Sequence, residues 1–136
     1  MFSSGFAEIV LIVPDVRTSA AFYRDVVGLI PETEPDDAWA WFWMGPPGQN
    51  QRLALHRGPL LFEEHSPQAA GARWGPIHFA LEVPRARLDG ALAHLRAKQI
   101  ALYGPIELNW MQAISWYFYD PDGNLLEFWS RGPDAP

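Results

Sequence analysis

The chain has 136 residues, 49% of them hydrophobic and 19% charged, which is enough apolar material for a packed core and excludes a disordered chain. A formal charge of -6 excludes electrostatic attraction to nucleic acid or to an anionic membrane surface and suits neutral or cationic small ligands. The absence of cysteine leaves His, Asp and Glu to make any metal site, and with no leader-like start and no apolar run near about 18 residues a cytoplasmic protein is expected.

Residues 6–13 form an apolar, β-branched run stopped by Pro14 and Asp15, which predicts a first strand. Thr18 or Ser19 is expected to open the helix that follows, with Gly28 as its C-terminal cap. Residues 29–33, 39–44 and 51–56 then read as three strands, separated by Pro35, Asp36 and Asp37 and by the turn from Gly45 to Gly48. The same order returns: a strand at 77–83, a helix at 87–98 with Leu88, Ala91, Leu92 and Leu95 on one face, and strands at 102–106, 115–119 and 125–129. Asp120, Pro121, Asp122 and Gly123 make the last hairpin turn.

The fold class is therefore α+β, with two βαβββ modules at about 6–57 and 76–131, a linker at about 58–75, and a C-terminal tail expected to fray. Each antiparallel sheet is expected to carry its helix on the outer face and to curve around a shared cavity with the other. The duplication is visible in the residues themselves. From Glu8 to His78 runs an offset of 70, with Leu11/Leu81, Val13/Val83, Pro14/Pro84, Arg17/Arg87 and Ala21/Ala91 identical. The turn at Pro46 returns at Pro121, and Arg57 with Gly58 returns as Arg131 with Gly132.

Glu8 and His78 open the two equivalent strands, where an unpaired charge or imidazole is costly. Alternation places Glu127 on the cavity side of the last strand, so Glu8, His78 and Glu127 are candidate ligands for a divalent ion: Mn, Ni, Zn, Mg or Fe(II). Satisfied core or edge polar groups are the alternative. His56 faces the cavity if Leu53 and Leu55 pack under the helix, and a one-residue slip reverses it. Trp39, Trp41 and Trp43 alternate on one strand, and with Trp110 and Trp129 they form either core or an aromatic pocket. Tyr117 and Tyr119 alternate with Trp116 and Phe118, and one of these pairs reaches the cavity.

The stretches 13–29, 77–83 and 116–127 resemble the vicinal oxygen chelate superfamily, also called the glyoxalase, bleomycin-resistance and extradiol-dioxygenase superfamily. The resemblance covers nearly the whole chain. It implies metal positions at Glu8, His78 and Glu127, a homodimer, and a lyase, isomerase, transferase or dioxygenase activity. Members often carry His or Gln where this chain has Glu8, and the further ligand of glyoxalase I-like members falls near Ala54, which binds no metal. The 115–127 stretch is similar to fosfomycin-resistance proteins, yet no Lys or Arg cluster accompanies it.

Two functions are expected from these readings. The first is a metal-dependent enzyme acting on a small, oxygen-chelating, aromatic or apolar substrate, with His56, Tyr117 or Tyr119 assisting proton transfer. The alternative is a metal-free binder of flat or cationic compounds that resembles bleomycin-resistance proteins. A third arrangement, Glu8 paired with His78 or Arg52 as the remnant of a lost site, is structural only.

Overall fold

Alternation of apolar and polar residues decides which strands form and which faces they bury. In the computed structural model, which describes residues 7–49, 51–58 and 77–132, the first set of elements is β1 (Glu8–Ile12), α1 (Val16–Phe22), β2 (Ile30–Pro31), β3 (Trp39–Trp43) and β4 (Arg52–His56). The second is β5 (His78–Glu82), α2 (Arg85–Ala97), β6 (Tyr103–Leu108), β7 (Ala113–Tyr119) and β8 (Leu125–Arg131). These fall into two compact units, Met1–Gly75 and Pro76–Pro136. Each is α+β with one four-stranded mixed sheet, ordered β1-β4-β3-β2 in the first and β5-β8-β7-β6 in the second. The expected linker and the C-terminal tail lie outside the described residues, apart from Gly58 and Gly132.

In both sheets the strand before the helix pairs parallel with the last strand of its unit, while the remaining pairs are antiparallel. That parallel pair needs a long crossover, which the helix and the other two strands supply. In the first unit Ala40, Phe42, Leu53 and Leu55 are buried, with Ala40 opposite Leu55 and Phe42 opposite Leu53. In the second, Phe118, Leu126 and Phe128 are buried with Leu88, Leu92 and Leu95 of α2, and the rings of Phe118 and Phe128 meet edge to face at 4.9 Å.

Three expectations change. The first helix begins at Val16, not at Thr18 or Ser19: the Asp15 side chain accepts the Thr18 backbone N–H, so the cap sits three residues earlier. That helix loosens into a π turn over Tyr23–Val27 before Gly28 ends it in the left-handed conformation, as expected. The second helix starts at Arg85 rather than residue 87. Finally, the register sets Ile12 beside His56 and Glu82 beside Trp129, so His56 corresponds to Trp129 and Gly58 to Arg131. The proposed match of Arg57 to Arg131 is off by one, because the two hairpin turns differ in length.

Candidate functional site

The side of the second sheet opposite α2 is set by β5, β8 and β7. Ala80, Glu127 and Tyr117 lie in one row across it, and His78 sits opposite Leu125 two pairs away, on the same face. The Glu127 carboxylate is buried, at 6% exposure, which is costly for a charge unless donors surround it. They do. Ser115 Oγ donates a short hydrogen bond to one carboxylate oxygen, and the Tyr117 hydroxyl lies within hydrogen-bond reach of both Ser115 and Glu127. Apart from these donors, His78 Nε2 stands 3.2 Å from the other oxygen. Burial first, and then the Glu127 charge, push the Tyr117 hydroxyl above its ordinary value of 10.0. Tyr117 is therefore a protonated donor at neutral pH.

The orientation of His78 decides what this cluster can hold. Its Nδ1 lies 3.1 Å from the Leu125 carbonyl oxygen, and a carbonyl only accepts, so Nδ1 carries a proton. In the neutral ring Nε2 is then a lone pair aimed at a carboxylate oxygen. Two acceptors at 3.2 Å need a cation between or beside them, a proton or a metal ion. Two ligands about 2.1 Å from one divalent ion stand about 3.0–3.4 Å apart at angles near 90–110°. The observed separation fits that bite, and the carbonyl behind His78 and the hydroxyls on Glu127 form the kind of outer shell that orients metal ligands.

Among the described residues no three His, Asp or Glu side chains group together as a metal site. Glu8 lies in the first unit, exposed on β1 opposite Arg52. Arg52 pairs with Glu32 at 2.7 Å and its guanidinium lies 4.6 Å over the Trp43 ring, so the expected Glu8–Arg52 pair gives way to one with Glu32. Ala54 occupies in the first unit the place that Glu127 holds in the second.

His56 does share a face with the tryptophans. Leu53 and Leu55 are buried on the other side, and the His56 ring stacks on Trp39 at 3.9 Å while Trp39 stacks on Trp41 at 5.5 Å. Its Nδ1 donates to the Ala38 carbonyl oxygen at 3.0 Å, which leaves Nε2 as an acceptor in the neutral ring. Trp39, Trp41 and Trp43 are all half-buried, in contrast to Ala40 and Phe42 between them.

In the second unit Trp110 and Trp129 line a cavity of about 460 Å³ together with Ala80, Leu108, Tyr117 and Glu127. A second cavity of about 370 Å³ is bounded by Tyr103, Gly104, Ile106, Tyr117, Tyr119 and Leu125. Of the two β7 pairs, then, Tyr117 and Tyr119 face the cavities. Phe118 is in the core, and Trp116 lies 5.4 Å beneath the Arg96 guanidinium of α2. Ser115, Tyr103, Leu108 and Ile106 went unnoticed in the sequence. Period-two counting back from Tyr117 puts Ser115 on the same face without marking it as a site residue, whereas the β6 residues depend on a register shift between Tyr103 and Ile106.

A family model described as the Glyoxalase/Bleomycin resistance protein/Dioxygenase superfamily matches residues 5–128. Among solved structures, an integron cassette protein from the mobile metagenome of V. cholerae is 28% identical, with 96% of this chain and 97% of that chain covered and a TM-score of 0.70. Lactoylglutathione lyase from Agrobacterium tumefaciens is 24% identical, with 96% of each chain covered and a TM-score of 0.73. TnmS3, an antibiotic binding protein from Streptomyces sp. CB03234, is 21% identical, with 97% and 99% covered and a TM-score of 0.69. Comparison with curated proteins gives no match.

Proposed function

The chain belongs to the Glyoxalase/Bleomycin resistance protein/Dioxygenase superfamily, and from that premise we propose that it is a divalent-metal-dependent enzyme acting on a small molecule with vicinal oxygens. The observation that carries this reading is the His78 Nε2 lone pair facing the buried Glu127 carboxylate at 3.2 Å. In the proposed ligand set Glu8, which the duplication places in register with His78, is the third protein ligand.

Bound there, a divalent ion supplies Lewis-acid polarisation of the substrate oxygens. The protein's own groups do the rest. The Leu125 carbonyl holds the His78 tautomer, Ser115 fixes the Glu127 carboxylate, and the Tyr117 hydroxyl is the donor placed to meet charge that develops on a substrate oxygen. His56, stacked on Trp39 with Nε2 as acceptor, is proposed to take up a proton from the substrate. The apolar lining by Leu108, Trp110 and Trp129 favours an aromatic or apolar substrate.

Metal content tests the reading. Wild-type protein exposed in turn to Mn, Ni, Zn, Mg and Fe(II) is expected to retain about one ion per chain of at least one of them, and His78→Ala to lose it while remaining folded by circular dichroism. A folded wild-type protein that retains none of the five would overturn the metal-dependent reading. One observation favours a second reading, a metal-free binder of flat compounds: the stack of His56, Trp39 and Trp41 is a ready-made aromatic surface that needs no ion.

A further inference from the structure

Apolar exposure on this chain is concentrated. Of the five large hydrophobic side chains exposed among the described residues, four are Tyr103, Ile106, Trp110 and Tyr119 of the second unit, and each of the four lines one of the two cavities described above. Scattered single apolar residues need no explanation, but a cluster at concave surfaces marks a binding site. The two cavities share a single named wall residue, Tyr117.

They also lie in order along the strands. On β8 the residues of one face run Leu125, Glu127, Trp129; Leu125 lines the smaller cavity, and Glu127 with Trp129 lines the larger. Four residues of strand span about 13 Å. The Glu127 carboxylate and Tyr117 hydroxyl are therefore flanked by apolar wall on both sides. In the smaller cavity that wall comes partly from backbone. Gly104, at φ +146°, approaches β7 so closely that a Cβ there would lie 2.9 Å from the Ser115 carbonyl oxygen, so no side chain intrudes. Neither cavity has a Lys, Arg or His among its described lining residues, while one has a carboxylate.

We propose that the two cavities are two arms of one binding site, and that its ligand is an uncharged vicinal hydroxyketone or diketone with an apolar, preferably aromatic, group on each side of its oxygens. This rests on the reading that an ion held by His78 and Glu127 engages those oxygens. It narrows the substrate class from small to two-armed, because both arms are lined mainly by apolar and aromatic side chains. The Tyr103 and Tyr119 rings, set edge to face at 6.1 Å, wall one arm; Trp110 and Trp129 wall the other.

The test compares benzoin, with a ring on each side of a hydroxyketone, with 2-hydroxyacetophenone, which has one. Both are titrated calorimetrically into the manganese-treated protein and its Tyr119→Ala and Ile106→Ala variants. One additional buried ring is expected to make benzoin bind between about ten- and a hundredfold tighter. Both variants are expected to remove most of that advantage, weakening benzoin much more than 2-hydroxyacetophenone, whose one ring can occupy the other arm.

Equal affinity for the two compounds, binding of neither, or equal weakening of both by the variants overturns the proposal. So does a changed oligomeric state in the variants with benzoin binding intact, which would assign the patch to a second copy of the chain. The metal reading fails separately. Protein that holds none of the five ions yet keeps the benzoin preference, and loses it in Tyr119→Ala, supports the two arms and sinks the metal. Protein that holds manganese through His78 and treats both compounds alike does the reverse.

Discussion

At the residue scale the site turns on where protons sit. The Leu125 carbonyl accepts the His78 Nδ1 proton, so in the neutral ring Nε2 presents a lone pair to a carboxylate, and Ser115 spends its only proton on the other oxygen of that carboxylate. Ser115 is fully buried and touches no cavity among the described linings, so its effect on a ligand has to pass through Glu127. Ser115→Ala removes one donor from a buried anion and frees the carboxylate to rotate. The expected result is a roughly ten- to hundredfold loss of metal affinity, the usual cost of deleting an outer-shell partner, read by calorimetric titration with the wild type as reference. Unchanged affinity would show that Tyr117 alone fixes Glu127. His78 and Glu127 were legible in the sequence because polar residues inside apolar strands stand out. Ser115 was not, since a serine in a strand is unremarkable until the partner two pairs away is known.

At the element scale, short side chains decide where helices and strands begin. Asp15 starts α1 by accepting the Thr18 N–H. Asp36 accepts both the Ala38 and Trp39 N–H groups at 2.7 Å and so sets the entry into β3, the strand that carries the aromatic stack. Hydrogen bonds from the Trp39 and Ala38 backbone hold the Asp36 carboxyl below its ordinary value of 3.8, and the Thr18 N–H does the same for Asp15. A depressed carboxyl contributes stability that is present above the unfolded-state value and is lost as pH falls through the folded one. The melting temperature should therefore fall below about pH 4, and Asp36→Ala should show a lower neutral-pH value with a shallower acid decline. Parallel acid curves for the two proteins would sink this account.

Strand existence and faces were readable because period-two alternation is local: Ala40 and Phe42 against Trp39, Trp41 and Trp43 is the clear case. Helix starts and the late register were not. In sequence Asp15 reads as a strand stop although it caps the next helix, and the turns between the last two strands of each unit differ in length, so counting from Arg57 to Arg131 misses the register by one.

For the whole molecule, one plan is used twice with different chemistry. The register makes Glu8 the counterpart of His78, Ala54 of Glu127 and Trp41 of Tyr117, so the first unit has exchanged most of the polar cluster for an aromatic face. Both units are acidic, with five basic residues against nine acidic in the first and five against seven in the second, which disfavours anionic ligands at either.

A metal bound mainly by the second unit has a global signature all the same, because an ion that binds only the folded chain stabilises it by mass action. At about a hundred times its dissociation constant the gain is about 2.7 kcal/mol, which for a chain of this size raises the melting temperature by roughly 5–10 °C. Removing the ion with EDTA should reverse that rise in the wild type and change nothing in His78→Ala, whose melting temperature should already match that of the stripped protein. Two other outcomes would be informative. A rise that survives in His78→Ala would place the ion away from the His78 and Glu127 pair, and a wild type indifferent to both ion and chelator would leave the lone pair of His78 satisfied by a proton shared with Glu127.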